Sequence, residues 1–218
     1  AAIYLMQAGA ATKVRTWCPS LGAQHGFLVT HNESISIADY LTVREGAGVA
    51  YRPTCHYAYH PCNDAVLSWH EMLGNEGKFQ DEWTILSEHE IVDGRDELGV
   101  LLMGHPLTSW WYGSLLDIHE TRRLAPGQNA TTLQVAASLL AAVQWLLANP
   151  RRGVRLPDEL PHEEILAAAK PYLGPIASQR SDWTPLLRWS DPFVGFGRPR
   201  PADEDVWQFS TFLVHGPA

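Results

Sequence analysis

Three polar residues in succession, His31, Asn32 and Glu33, separate an apolar run ending at Thr30 from a helix-like segment that begins near Ser36. An imidazole exchanges protons near neutral pH and a carboxylate steadies a cation, so a strand-to-helix junction carrying both can do acid–base work or hold a cation or a sugar hydroxyl. The same residues also suit an ordinary loop in which Asn32 and Glu33 help to cap the helix. The second chemical stretch is TCHYAYHPC, Thr54 to Cys62, with two histidines, two cysteines and two tyrosines in nine positions. Such a set suggests zinc, but Pro61 favours an extended His60. Four residues of extended chain then hold His56 and His60 about 13 Å apart, too far to share one ion. No metal is expected. The extended reading puts His56 and His60 on one side and Tyr57 and Tyr59 on the other, one side lining a pocket and the other packing. A third group is aromatic: Trp110, Trp111 and Tyr112, in a chain with nine tryptophans, suit stacking on a cation and equally a core.

The elements that must position these residues are short and intermingled. Strands are expected over Ile3–Leu5, Lys13–Trp17, Phe27–Thr30 and Val49–Arg52, set off by Gly and Pro signals. Ser36 with Asp39 gives a capping-box-like start to a helix whose apolar face is Ile37, Tyr40 and Leu41. A second helix should run from Pro61 to about Leu73, stopped by Gly74, with Val66, Trp69, His70 and Leu73 as its buried stripe. The stretch from Trp83 to Trp111 predicts three strands, including Leu98–Met103. A long helix from about Thr131 to Ala148, interrupted only by Gln134, Ser138 and Gln144, should be buried along most of its circumference. Its apolar part, Leu133 to Leu147, falls short of the roughly 20 residues that a bilayer-spanning helix needs. A shorter amphipathic helix is expected from about His162 to Lys170, then an irregular Pro- and Gly-rich connection over Asp191–Asp205 and a closing strand within Trp207–Val214. Strands intermingled with helices predict an α/β fold, a mixed sheet covered by helices. One domain is expected over 1–185, followed by an irregular tail over 186–218.

Composition narrows the partners. The chain has 218 residues, 45% hydrophobic and 18% charged, within the range of folded globular proteins. A formal net charge of −8 argues against nucleic acid, whose phosphates call for a surplus of Lys and Arg, and leaves cationic partners compatible. Cys18, Cys55 and Cys62 are an odd number in a chain too long to need staples, so reduced thiols and a cytoplasmic location are expected, with no membrane association. Strand-like residues follow Ala1 at once, so Ala1 is not expected to be the natural start. No G-x-G-x-x-G follows a strand, and P-loop, H-E-x-x-H and G-x-S-x-G patterns are absent from the sequence.

Longer strings carry more information than these short motifs. LVTHNESISIADYLTV (Leu28–Val43), YRPTCHYAYHPCNDAVLS (Tyr51–Ser68), EIVDGRDELGVLLMGH (Glu90–His105), RRLAPGQNATTLQVAASLLA (Arg122–Ala141) and AKPYLGP (Ala169–Pro175) resemble, in order, the carboxy-terminal half of the bacterial homospermidine synthases, relatives of the saccharopine dehydrogenases. The resemblance covers the chain from Ala1 to about Pro185, and Leu186 to Pro201 departs from it. It implies a glyceraldehyde-phosphate-dehydrogenase-like substrate domain whose Rossmann partner, the main holder of NAD, lies in the other half. It also implies a homodimer and putrescine as substrate: putrescine is oxidised to an imine, a second amine attacks with loss of ammonia, and the new imine is reduced.

That chemistry requires a proton acceptor, because an alkylammonium of pKa near 10 gives up hydride from its α-carbon only once the nitrogen lone pair is free. Glu33 and His56 are the candidates, expected to face one cavity, with His31, Asn32 and His60 as supporting groups. Glu90, Asp93 and Trp110 are the candidates for holding the distal ammonium, Asp93 before Gly94 being equally a turn residue. Two other readings compete. A saccharopine-dehydrogenase-like oxidoreductase would act on an amino-acid-derived imine and call for clustered Arg or Lys at the site. A non-catalytic polyamine-binding module would need neither NAD nor a proton acceptor.

Overall fold

The structure is a computed structural model and describes residues 5, 6, 9–187, 189 and 199–214. The chain divides into two compact units, one formed by 1–84 with 183–218 and the other by 85–182.

The first unit is built on a four-stranded sheet. Its centre is the hairpin of β1 (Lys13–Cys18) and β2 (Gly22–Val29), paired in unbroken register from Lys13 opposite Phe27 to Cys18 opposite Gly22. Alternation along β1 sends Val14 and Cys18 into the core and leaves Lys13 and Arg15 on the other face. The hairpin is flanked by β5 (Tyr57–Tyr59) and β9 (Leu213–Val214), in the order β5-β2-β1-β9, with every pairing antiparallel. The strand expected over Trp207–Val214 is confined to its last two residues. Before them Phe209–Phe212 form a short helix, α6, kept wound by the Thr211 hydroxyl, which donates to the carbonyls of Val206 (2.8 Å) and Gln208 (2.6 Å). Phe212 lies 6.3 Å from Trp183 between ring centroids, and both are buried. Ile3 and Tyr4 of the first expected strand, and 191–198 of the expected connection, lie outside the described residues.

Helix α1 (Glu33–Tyr40) starts three residues earlier than the Ser36 signal suggests, because the Asn32 carbonyl accepts from Ile35 and Ser36 and closes the first turn. After it come a separate exposed hairpin, β3 (Val43–Glu45) with β4 (Gly48–Tyr51), and then helix α2 (Asn63–Gly74). The buried stripe expected on α2 does not form. Val66 and Trp69 are half-buried while His70 and Leu73 are exposed, because α2 borders the sheet only along one side of an open cleft.

The second unit carries an antiparallel three-stranded sheet of β6 (Arg95–His105), β7 (Thr108–Asp117) and β8 (Ile176–Ser181), in the order β6-β7-β8. Two strands replace the three expected between Trp83 and Trp111. Ile85, Leu86 and Val92 are exposed and pair with no strand among the described residues. The Trp111 indole lies across Gly99 and Gly113, where an added methyl would overlap the ring. Helix α3 (Ile118–Leu124) is capped by Asp117, whose carboxylate accepts from Glu120 N at 2.8 Å. Helix α4 (Ala130–Ala148) is capped likewise by Asn129, and α5 (His162–Ala169) packs beside it. The facing residues Ala137, Ala141, Ala169 and Leu173 make one core cluster, and Leu116, Ala130 and Leu133 make another.

The expectation that α4 is buried most of the way round is overturned. Ala130, Leu133, Gln134, Ala137 and Ala141 are buried, but Val135, Leu139 and Leu147 are 61%, 65% and 76% exposed. The small alanines admit close packing on one side only, and nothing among the described residues covers the other. By length and composition alone α4 would suffice to cross a membrane. Its polar Gln134 is nevertheless committed to the second unit: Nε2 donates to Ser114 Oγ at 2.7 Å, and that hydroxyl donates in turn to the Leu173 carbonyl.

Candidate functional site

The end of β2 places the junction residues. Val29 stands opposite Tyr57, and the chain then leaves the sheet through Thr30, His31 and Asn32 into α1. His31 consequently lies flat on Tyr57, with ring centroids 4.5 Å apart and planes 13° apart. Glu33, the first residue of α1, turns back so that its Oε2 is 2.6 Å from His31 Nδ1. This hydrogen bond, helped by Glu33's own backbone N–H, holds the carboxyl below its ordinary pKa, outweighing a small opposing effect of burial. A carboxylate can only accept, so the imidazole proton sits on Nδ1 and Nε2 keeps its lone pair. The arrangement can take a proton at Nε2 and stabilise the resulting imidazolium through Glu33. Asn32 contributes its backbone to the helix start and makes no side-chain cap.

On the same sheet face lies a cleft of about 430 Å³ between β2, β5 and α2, lined by Phe27, Val29, Thr30, Tyr59, Val66 and Trp69 among others. Its walls are mainly apolar, suited to a methylene chain or a ring.

The structure reverses the expected phase of the 56–60 segment. Pairing of Phe27 with Tyr59 and Val29 with Tyr57 places the tyrosines on the cleft face. His56 falls on the other side, edge-on to Phe209 (5.3 Å) and Phe212 (5.6 Å), where burial pushes its pKa down. The residue brought to Glu33 is therefore His31, and His56 does not share a cavity with it. His60 Nδ1 donates to the His25 carbonyl at 2.8 Å.

Glu90, Asp93 and Trp110 belong to the second unit and are not gathered. Glu90 closes a turn by accepting from Ser87 N at 2.5 Å, which lowers its pKa, and Asp93 accepts from Gly94 N at 2.8 Å. Trp110 donates from Nε1 to Ser178 Oγ at 3.0 Å. It pairs with Leu102, seven residues along β6 from Arg95, so roughly 24 Å of strand separates it from the Asp93 end, too far to share one ammonium. Among the described residues no group of His, Cys, Asp or Glu side chains converges as a metal site, and no disulfide joins Cys18, Cys55 or Cys62. The residues that sequence reasoning missed are Tyr57 and the cleft walls Phe27, Tyr59 and Trp69. The signal available for Tyr57 was alternation, which fixes a face only once the partner strand is known.

Residues 1–181 match the family model described as the saccharopine dehydrogenase C-terminal domain. The chain belongs to that family. Within it, this saccharopine dehydrogenase C-terminal domain is 58% identical over 220 residues to the homospermidine synthase of Blastochloris viridis and 54% identical over 216 residues to that of Mesorhizobium japonicum. In each case 98% of this chain is covered but only 44% of the relative, so the chain spans somewhat less than half the length of those proteins. Among solved structures, the homospermidine synthase of Legionella pneumophila in complex with NAD is similar with a TM-score of 0.89 and 46% identity, over 97% of this chain and 45% of that one. The similarity thus extends across nearly the whole chain, past Pro185, where the resemblance read from the five strings was expected to end.

Proposed function

We propose that this chain is the substrate-handling part of an NAD-dependent homospermidine synthase, which moves an aminobutyl group from one putrescine to another with release of ammonia. The observation that carries the reading is the His31–Glu33 pair held on Tyr57 beside an apolar cleft, in a chain 54–58% identical to proteins bearing that name. A bound nicotinamide would supply the hydride acceptor and donor. The described strand-to-helix connections, Thr30–Asn32, His60–Cys62 and the β7–α3 junction at Asp117, contain no glycine turn that could receive a pyrophosphate, so this chain does not fit that role and the dinucleotide belongs with the half its relatives add.

What this chain supplies is the proton transfer. A substrate ammonium loses its proton to His31 Nε2, freeing the nitrogen lone pair. Glu33 balances the positive imidazolium, Tyr57 fixes the ring plane, and the cleft takes the methylenes. His56, neutral and enclosed by phenylalanines, has a packing role. The same reading includes a homodimer, supported by the charge-free open side of α4, and a cytoplasmic location, supported by cysteines that form no disulfide.

The test joins this chain to the amino-terminal half of the Blastochloris viridis relative and supplies putrescine with NAD. Homospermidine, identified by mass spectrometry, is the expected product. A folded fusion that forms none, while the intact Blastochloris viridis protein does, overturns the proposal.

A further inference from the structure

Several cations of this acidic chain are matched by carboxylates. Arg44, Arg52, Lys78, Arg123, Arg155 and Arg200 each lie within ion-pair distance of a carboxylate. Lys13 and Arg15, two residues apart on the cleft face of β1, have no carboxylate partner among the described residues. Lys13 Nζ rests over the Phe27 ring at 5.5 Å, and the Arg15 guanidinium over the Trp189 ring at 4.2 Å. Arg15 NH1 lies 3.4 Å from His25 Nε2, its cross-strand neighbour, while Arg15 Nε is buried with no hydrogen-bond partner. His60 joins the group through its bond to the His25 carbonyl. Burial first, and then the charges of Arg15 and Lys13, push the His25 pKa down.

We infer that Lys13, Arg15 and His25 form an oxyanion site, taking a phosphate or carboxylate group of a small ligand. The guanidinium offers paired donors to a planar or tetrahedral oxyanion, the ammonium adds a point charge, and neutral His25 keeps its Nδ1–H as a third donor, since its Nε2 accepts from Arg15. Trp189 and Phe27 hold the two cations in place. A diamine is repelled here, so the site is distinct from the His31–Glu33 pair and does not rest on the function assigned to that pair. Along β2 the Arg15–His25 pair stands four residues, about 13 Å, from Val29, while Lys13, opposite Phe27, stands two residues, about 7 Å, from it.

Calorimetry on the 218-residue chain, with inorganic phosphate and with succinate at constant ionic strength in chloride, tests this directly. Saturable binding of either probe is expected, weakened about tenfold or more by Arg15→Gln and by Lys13→Gln, the probe that binds telling phosphate from carboxylate. Lys13 is exposed, so its variant carries the test if Arg15→Gln does not fold. No saturable heat for either probe up to ~10 mM overturns the inference, as does binding that survives both substitutions or that putrescine reproduces.

Discussion

A carboxylate on Nδ1 fixes the orientation and tautomer of an imidazole, so the two members of the His31–Glu33 pair are expected to fail differently when removed. In the fused enzyme, His31→Gln should lower putrescine turnover by at least about tenfold, the low side of a general-base contribution, because the imidazole that accepts the proton is lost. Glu33→Gln leaves the imidazole in place and should lower turnover less than His31→Gln does. His56→Gln should leave turnover within about twofold, since that ring faces Phe209 and Phe212, and a loss matching that of His31→Gln would return His56 to the site. His56 should instead govern stability. An unfolded histidine titrates near 6.5, and burial holds folded His56 lower, so between the two values the unfolded chain binds a proton that the folded chain does not. Stability is then full above about pH 6.5 and falls as pH drops through that window. Thermal melts of His56→Gln should show a smaller loss of Tm between about pH 7.5 and 5.5, with a remainder from His25, whose pKa is also lowered. At this scale the triplet 31–33 was legible because its members are adjacent at an element junction. The exchange of His56 for Tyr57 was not, since β5 has three residues and its phase is set by Phe27 and Val29, thirty positions away.

Helix α4 shows what composition says about an element and what it leaves open. Its existence and extent were readable from an apolar run closed by Asn149 and Pro150, but apolarity does not say which side meets a partner within the same chain. The answer lies in side-chain size: Ala137 and Ala141 face Ala169 and Leu173, while the branched residues Val135, Leu139 and Leu147 point outward. Ala141→Leu should therefore overpack the α4–α5 contact and destabilise the chain by about 1–3 kcal/mol in urea unfolding. Leu139→Gln should change stability by less than about 0.5 kcal/mol and reduce self-association in sedimentation, whereas a cost equal to that of Ala141→Leu would mean that the outer side is covered. The missing third strand before β6 has a related cause. Val92, Ile85 and Leu86 have strand-forming side chains, yet pairing needs an available ladder, and none is offered to them among the described residues.

For the whole molecule, sequence gave the class, helices intermingled with strands, but not the division into units, because the return of 183–214 to β1 rests on the two-residue β9 and on Trp183 against Phe212. Such contacts between distant parts of a chain leave no periodic trace. The same architecture bears on the cofactor. Dinucleotide binding in α/β proteins uses a parallel strand, a glycine-rich turn and the N-terminus of the following helix, so that backbone N–H groups meet the pyrophosphate. Every described strand pairing here is antiparallel, and the junctions into α1, α2 and α3 carry side chains where close approach of a pyrophosphate needs glycine. Lys13 and Arg15 could attract one phosphate electrostatically, but they lie mid-strand with no helix N-terminus behind them. The chain alone is therefore expected to bind NAD no more tightly than it binds the isolated phosphate probe, and the fused enzyme to bind it at least about a hundredfold more tightly, both by calorimetry. Tight one-to-one binding of NAD by the chain alone would mean that the cofactor is recognised on this half, and the assignment of proton transfer alone to these residues would then fall.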